Sequence, residues 1–233
     1  MTAQTTLITG ANRGIGLELV RQHLQEGWQV FATCRTPESA SELNALAAQH
    51  PENCTVLALD IADENTYAPC DTALGDFSID LLWNNAGVYG PRDAALGELP
   101  EAEWLETLRV NVIAPIRFTQ FIGKRVANSS GKAIAFLSSK MGSLAENSSG
   151  GAHIYRSSKA GLNAAARSLA LELQPHGIRT AILHPGWVRT DMGGPNALLS
   201  VEVSAAGLRR VMAEWKLEDS GSFINYDGAR IPW

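Results

Sequence analysis

The sequence predicts an α/β fold, a doubly wound parallel sheet of about seven strands with helices on both faces. Three observations carry this. Short apolar runs of strand type alternate with helix-like segments along the whole chain. The strands, such as Val56-Leu57-Ala58-Leu59 and Thr180-Ala181-Ile182-Leu183, are nearly all apolar, as in a sheet covered on both sides. The first strand runs straight into Gly10, Gly14 and Gly16, and a helix follows.

The elements follow in order. Residues 5–9 form the first strand, and an amphipathic helix covers 15–26 with Gly27 as its stop. A second strand spans 29–33. Pro37 and Glu38 open a helix to Gln49, ahead of Pro51. Residues 54–59 and 79–83 are the third and fourth strands. Residues 101–127 read as one long helical region in which Pro115 marks a break or kink. The fifth strand is 132–137, and 154–173 is helical up to Pro175-His176-Gly177. The sixth strand is 178–183, a helix covers 201–215, and 222–225 is a short last strand. No repeat, low-complexity tract or linker interrupts this alternation, so 1–233 reads as a single domain.

Bulk properties exclude several classes. The 233 residues suffice for one substantial core, and 45% are hydrophobic, which argues against disorder. Twenty-four acids against 19 bases give a charge of −5, with no basic run, so a nucleic-acid partner is not expected. No apolar run approaches a membrane span, and the N-terminus has no secretory pattern. Cys34, Cys54 and Cys70 fit neither a disulfide framework nor a metal spacing, so a reducing, cytoplasmic setting and no metal are expected. Asn128-Ser129-Ser130 and Asn147-Ser148-Ser149 match the glycosylation pattern but are idle without a secretory route.

Glycines at a first strand-to-helix junction allow a tight turn and close backbone approach to a pyrophosphate, which the helix N-terminus also favours. The spacing here is Gly-x-x-x-Gly-x-Gly, within Gly10-Ala11-Asn12-Arg13-Gly14-Ile15-Gly16. This is a Rossmann-type arrangement. An acid after the second strand would select NAD through a ribose hydroxyl, but Phe31-Ala32-Thr33-Cys34-Arg35-Thr36 has none. Arg35 could fork onto a 2′-phosphate, and Arg13 could reach the same group, so NADP(H) is expected over NAD(H). Cys34, beside Arg35, is either a redox-sensitive thiol or a small buried apolar residue.

Tyr155 and Lys159 stand one helical turn apart, on one face. A tyrosine titrates near ~10. An ammonium about 4 Å away, at an effective dielectric of about 20, favours the phenolate by roughly 4 kcal/mol, about three pK units before desolvation. The pair can thus make a phenol into a useful acid near neutral pH. His153 and His184 lack other ligands around them and read as a loop residue and a strand-end packing residue. Trp187 and Met192 read either as lining the substrate side of a pocket or as packing residues.

Together these motifs resemble the short-chain dehydrogenase/reductase family nearly end to end. The glycine loop resembles its cofactor loop, and Asn84-Asn85-Ala86-Gly87 its Asn-Asn-Ala-Gly element. Asp60-Ile61 falls where the family contacts adenine, and Pro185-Gly186-Trp187-Val188-Arg189-Thr190 where it holds the nicotinamide carboxamide. The resemblance implies a catalytic set of Asn111, Ser139, Tyr155 and Lys159. The separation from Ser139 to Tyr155 is longer than the family's usual one, so Ser138 competes with Ser139, the favoured serine. The implied cofactor residues are Gly10, Asn12, Arg13, Gly14, Ile15, Gly16, Arg35, Asp60, Ile61, Asn85, Ala86, Gly87, Tyr155, Lys159, Pro185, Gly186, Val188 and Thr190. The roles implied are Tyr155 as general acid, Ser139 as hydrogen-bond donor to a carbonyl, Lys159 as partner of phenol and ribose, and Asn111 as holder of a water. Ser138-Ser139-Lys140-Met141-Gly142, His184-Pro185-Gly186-Trp187-Val188 and the closing Ile231-Pro232-Trp233 resemble the C-factor-like and sniffer-like carbonyl reductase branch. That implies NADPH-dependent reduction of a small aldehyde, ketone or quinone, or else an NADP(H)-binding signalling protein in which turnover is secondary. It also implies a homodimer through the helices near 101–127 and 154–173.

Overall fold

The computed structural model describes residues 3–92 and 96–233. Its strands are β1 (Thr5–Ile8), β2 (Gln29–Cys34), β3 (Cys54–Ala58), β4 (Leu81–Asn84), β5 (Ala133–Leu137), β6 (Arg179–His184) and β7 (Phe223–Asn225). They form one sheet in the order β3-β2-β1-β4-β5-β6-β7, and every neighbouring pair is parallel. The helices are α1 (Gly14–Gln25), α2 (Ser41–Gln49), α3 (Tyr67–Ala73), α4 (Glu101–Leu108), α5 (Ala114–Ala127), α6 (His153–Leu173) and α7 (Val201–Glu214). No helix among the described residues is long and apolar enough to cross a membrane.

Alternation along each strand builds two cores, because successive side chains point to opposite faces. Ile8, Trp83, Ala135 and Leu183 pack with Val20 and Leu24 of α1, Leu43 of α2 and Leu208 of α7. Their neighbours Leu7, Leu82, Ile134 and Ile182 pack on the other face with Phe118 and Ile122 of α5 and Leu162 and Ala166 of α6. The helical partners recur at three- and four-residue spacing, which puts them on one stripe. The strand order reverses between β1 and β4, the switch point beside which open α/β sheets hold ligands at the C-terminal ends of their strands.

Three expectations change. The segment after β2 is a single 3₁₀ turn at Pro37–Ser39, and α2 begins only at Ser41. Ala40 turns inward with a non-helical backbone, and the Asn44 side chain bonds back to the Pro37 carbonyl. Helix α3 has no counterpart in the sequence reading. Asp63 caps the 3₁₀ turn Glu64–Thr66 that leads into it, accepting from the Asn65 N–H, and Tyr67 and Cys70 bury its inner face. The region 101–127 is α4 and α5 joined by a wide π-type turn at Arg109–Ile113. Pro115 offers no N–H to the carbonyl four residues back, that of Asn111, and the helix widens there rather than breaking.

Candidate active site

The glycine loop is held from below by the segment after β4. Thr9 Oγ1 donates to the Trp83 carbonyl and accepts from the N–H groups of Asn85 and Ala86. Asn85 Nδ2 donates to the carbonyls of Thr9 (2.8 Å) and Gly10 (2.9 Å). Gly10 has φ +64°, and a Cβ on it would lie 2.9 Å from the Ala86 backbone. A Cβ on Gly16 would run into the Gly10 carbonyl oxygen and the Asn85 amide. The loop therefore exposes bare backbone at the start of α1, as a pyrophosphate requires.

The other expected cofactor positions surround this loop. Asn12 is half-buried on it and Ile15 lies in the first turn of α1. Asp60 accepts from the Ala62 N–H, and the Ile61 carbonyl is bound by the Tyr67 hydroxyl at 2.6 Å. Arg35 is exposed past the end of β2 and forms no ion pair among the described residues. Arg13 is exposed, and its guanidinium stands 3.5 Å from the Asp191 carboxylate, a solvent-exposed pair of little energetic weight. Cys34 is buried, and burial pushes its thiol up, opposed by a backbone hydrogen bond from Thr36. This overturns the redox-sensitive reading, since a buried neutral thiol is inert.

The catalytic candidates converge where β4, β5 and α6 meet. Ser138 donates to Asn163 Oδ1 at 2.5 Å and faces into α6. Ser139 Oγ accepts from the Met141 N–H and is near enough to the Tyr155 hydroxyl to favour its ionised form. Of the two serines, only Ser139 faces the phenol. Asn111 is buried in the π-type turn. Its Oδ1 accepts from the Val88 N–H at 2.9 Å, and its Nδ2 donates to the Val88 carbonyl and to Ser158 Oγ. Those three bonds use both Nδ2 hydrogens and one of the two acceptor positions of Oδ1, which leaves one for the expected water. Gly87 brings the Asn111 and Lys159 side chains together, since a Cβ there would lie 3.1 Å from Asn111 Oδ1 and 3.6 Å from Lys159 Nζ.

The tyrosine–lysine pair departs most from expectation. Lys159 Nζ donates to the Leu137 carbonyl at 2.9 Å and lies 5.8 Å from the centre of the Tyr155 ring. Burial pushes the phenol up to about 12; the nearby Ser139 hydroxyl pulls it back and Tyr89 adds to the rise. Burial also pushes the ammonium down to about 8. Desolvation, which penalises either charge, exceeds the mutual stabilisation at this separation.

The segment after β6 closes over the site. Gly186 has φ +84° and packs against Leu199 and Tyr226, while the Pro185 carbonyl is bound by Ser204. Val188 bridges to Leu199, and Thr190 Oγ1 accepts from the Gly193 N–H while its methyl abuts Gly14. Trp187 Nε1 donates to the Gly193 carbonyl, and Met192 Sδ lies 4.0 Å from the Tyr155 hydroxyl. Met192 thus faces the pocket. His184 ends β6 with Nδ1 buried and unpartnered, and burial pushes it down to about 4. His153 is the first residue of α6 and not a loop residue. No cluster of three metal-ligating side chains occurs among the described residues.

Sequence reasoning passed over Tyr89, whose ring stacks on Tyr155, and Arg92, which stands over Tyr89. An aromatic directly after Asn-Asn-Ala-Gly-Val was the available signal.

The family model for short chain dehydrogenase matches residues 4–197. The chain belongs to the short-chain dehydrogenase family. Among curated relatives, C-signal of Myxococcus xanthus is 44% identical over 155 residues, 66% of this chain and 93% of that protein. Among solved structures, carbonyl reductase Sniffer of D. melanogaster is 36% identical with a TM-score of 0.92, covering 99% of this chain and 100% of that one. A carbonyl reductase from Pseudomonas aeruginosa in complex with NADP is 38% identical with a TM-score of 0.89 over 100% of both chains. These likenesses fall in the branch of the short-chain dehydrogenases that the sequence motifs indicated, and the chain is an oxidoreductase by family.

Proposed function

We propose that this short-chain dehydrogenase is an NADP(H)-dependent carbonyl reductase acting on small aldehydes, ketones or quinones, with 1–233 working as one domain. The observation that carries this is the shared niche of Ser139, Tyr155 and Lys159 beside the bare glycine loop. The likeness to an NADP complex of a carbonyl reductase supports the cofactor, as does an unpaired Arg35 where an acid would select NAD.

The residues present fit the dinucleotide. Gly10, Gly14 and Gly16 leave a cradle that side chains would fill, and Arg35 is free for a 2′-phosphate. Asp60 and Ile61 would hold the adenine end, with Asn12, Arg13, Ile15 and the Asn85–Gly87 backbone along the middle. Pro185, Gly186, Val188 and Thr190 would hold the nicotinamide end, and Lys159 the ribose. When bound, NADPH supplies the hydride that reduces the carbonyl carbon. Tyr155 donates a proton to the carbonyl oxygen as charge develops there. Ser139 hydrogen-bonds the same oxygen and fixes its place. Lys159 holds the positive charge that keeps the phenol acidic once its Leu137 bond is exchanged. Asn111 clamps Val88 and so fixes the floor of the niche. The helices 101–127 and 154–173 are the proposed dimer face.

The test is NADPH oxidation followed with a panel of aldehydes, ketones and quinones. Turnover is expected, with NADH much poorer, and Tyr155→Phe should lower kcat by roughly 10²–10⁴-fold with NADPH affinity nearly intact. Arg35→Ala should raise the KM for NADPH and not that for NADH. Equal activity in Tyr155→Phe sinks the mechanism, and an unchanged NADPH KM in Arg35→Ala sinks the cofactor assignment. The likeness to C-signal favours a second reading, an NADP(H)-binding signalling protein. NADPH binding with no turnover on any of the panel would support that reading instead.

A further inference from the structure

A closed circuit of side chains surrounds the Tyr155 phenol. Tyr89 and Tyr155 stack with ring centres 4.4 Å apart and planes 18° from parallel. The Arg92 guanidinium stands over the Tyr89 ring, 4.7 Å from its centre. The same guanidinium donates from one nitrogen to the carbonyls of Asp191 (3.2 Å) and Met192 (2.6 Å). Met192 returns to the start, its sulfur 4.0 Å from the Tyr155 hydroxyl.

Tyr89 cannot easily move away. The residue before it, Val88, is clamped on both backbone groups by Asn111. The residue after it, Gly90, has φ +75° and lies so close to Thr107 and Ile154 that a Cβ would come within 2.6 Å of Thr107 Oγ1. The Tyr89 ring is thus presented to Tyr155 from two anchored points. Tyr155, by contrast, has weak restraints of its own. Among the described residues the one hydrogen-bond contact of its hydroxyl is the distant Met192 sulfur.

We infer that Tyr89 and Arg92 are positioning residues for Tyr155. Tyr89 sets the plane of the phenol ring by stacking. Arg92 ties that stack to residues 191–192, which cover the phenol's hydroxyl. The circuit links closure of the segment after β6 to the aim of the proton donor. Substrate must lift Met192 off the hydroxyl, and Arg92 holds the backbone that carries it. This rests on the carbonyl reductase reading for its kinetic consequences, while the stack itself does not.

Tyr89→Phe keeps the stacked ring and should rescue kcat relative to Tyr89→Leu. Tyr89→Leu should lower kcat roughly five- to tenfold, the worth of an aromatic pair, with the NADPH dissociation constant unchanged and the melting temperature lowered by only about 2–4 °C. Arg92→Gln should raise the carbonyl KM severalfold more than it lowers kcat, with Arg92→Lys giving partial rescue. An activity-free readout is NMR of ring-labelled tyrosine, of which the chain has four. The Tyr155 ring signal, identified by its loss in Tyr155→Phe, should carry a ring-current shift that Tyr89→Leu removes and Tyr89→Phe keeps. Absence of that shift in the wild type overturns the inference whether or not carbonyls turn over. So does full kcat in Tyr89→Leu, or a loss in Tyr89→Leu matched by lower NADPH affinity or equally present in Tyr89→Phe. If the panel shows no turnover but the shift is present, the functional reading fails and the stack stands.

Discussion

Replacing Lys159 with methionine should stabilise the protein at pH 7 in the absence of dinucleotide while abolishing turnover. The ammonium is buried, with one hydrogen bond to the Leu137 carbonyl and no carboxylate beside it. Burial lowers its pKa from 10.5 to about 8. At about 1.4 kcal/mol per unit, keeping the charge in the folded state costs about 3 kcal/mol. The folded pKa lies below the unfolded one, so between them the unfolded chain binds more protons. The cost is fully present below pH 8 and is relieved as the pH rises toward 10.5. Methionine keeps the unbranched stem and removes the charge, but it leaves the Leu137 carbonyl without its donor, which takes back about 1–2 kcal/mol. The net gain at pH 7 is about 1–2 kcal/mol, or roughly 2–8 °C in Tm for a chain of this size. The assay is urea unfolding of both proteins between pH 7 and 10, read as the difference between them so that other groups cancel. The reasoning is refuted if the variant is less stable at pH 7, or if the difference stays constant across that range.

Two further outcomes follow from burial and close contact. Gly16→Ala should loosen the glycine loop, because its Cβ would displace the Gly10 carbonyl or the Asn85 amide; a dinucleotide titration should show affinity falling by more than tenfold, at a stability cost of about 1–3 kcal/mol. His23 is buried, its Nε2 accepts from Trp83 Nε1, and burial, helped by the charge of Arg209, pushes it down to about 3. Its folded pKa lies below the unfolded 6.5, so stability is full above 6.5 and is lost as the pH falls toward 3, by about 2–3 kcal/mol at pH 4.5. His23→Gln, which can still accept from the indole, should remove that acid sensitivity in urea midpoints taken from pH 6.5 to 4.5.

The strands were legible because a strand buried on both faces is a short apolar run, and Thr5–Ile8, Ala133–Leu137 and Arg179–His184 lie within a residue or so of where such runs were read. Helix α3 was not, because Pro69 and the polar residues around it mask the few apolar positions that it buries. The π-type turn left one trace, Pro115, which signals a lost hydrogen bond but not whether a helix breaks or widens. In the site, the glycine loop and the Tyr155–Lys159 spacing were legible as local patterns. Which serine faces the phenol was not, since it depends on Asn163 binding Ser138 from another element. Arg13–Asp191 and Arg92–Met192 join loops far apart in the chain, and no local pattern announces them.

The geometry also changes what the lysine must do. At four-residue spacing, Coulomb attraction alone made the phenol an easy acid. In the folded chain Nζ lies over the phenol ring and bonds the Leu137 carbonyl rather than the hydroxyl, and burial acts on both groups in the direction that resists charge. At pH 7 the pair is a neutral phenol and an ammonium resting on a backbone carbonyl. A phenol near 12 surrenders its proton only to a stronger base, such as an oxygen acquiring alkoxide character, unless a nearer cation stabilises the phenolate. Tyr155 is thus guarded against losing its proton to water while no carbonyl is present. In the proposed mechanism the acid would become competent once Lys159 exchanged the Leu137 carbonyl for groups on the phenol side. The missing Cβ of Gly87 lets Asn111 Oδ1 approach closely enough to clamp Val88. One glycine of the Asn-Asn-Ala-Gly element thereby supports the rigidity of the segment that carries Tyr89 beside the phenol.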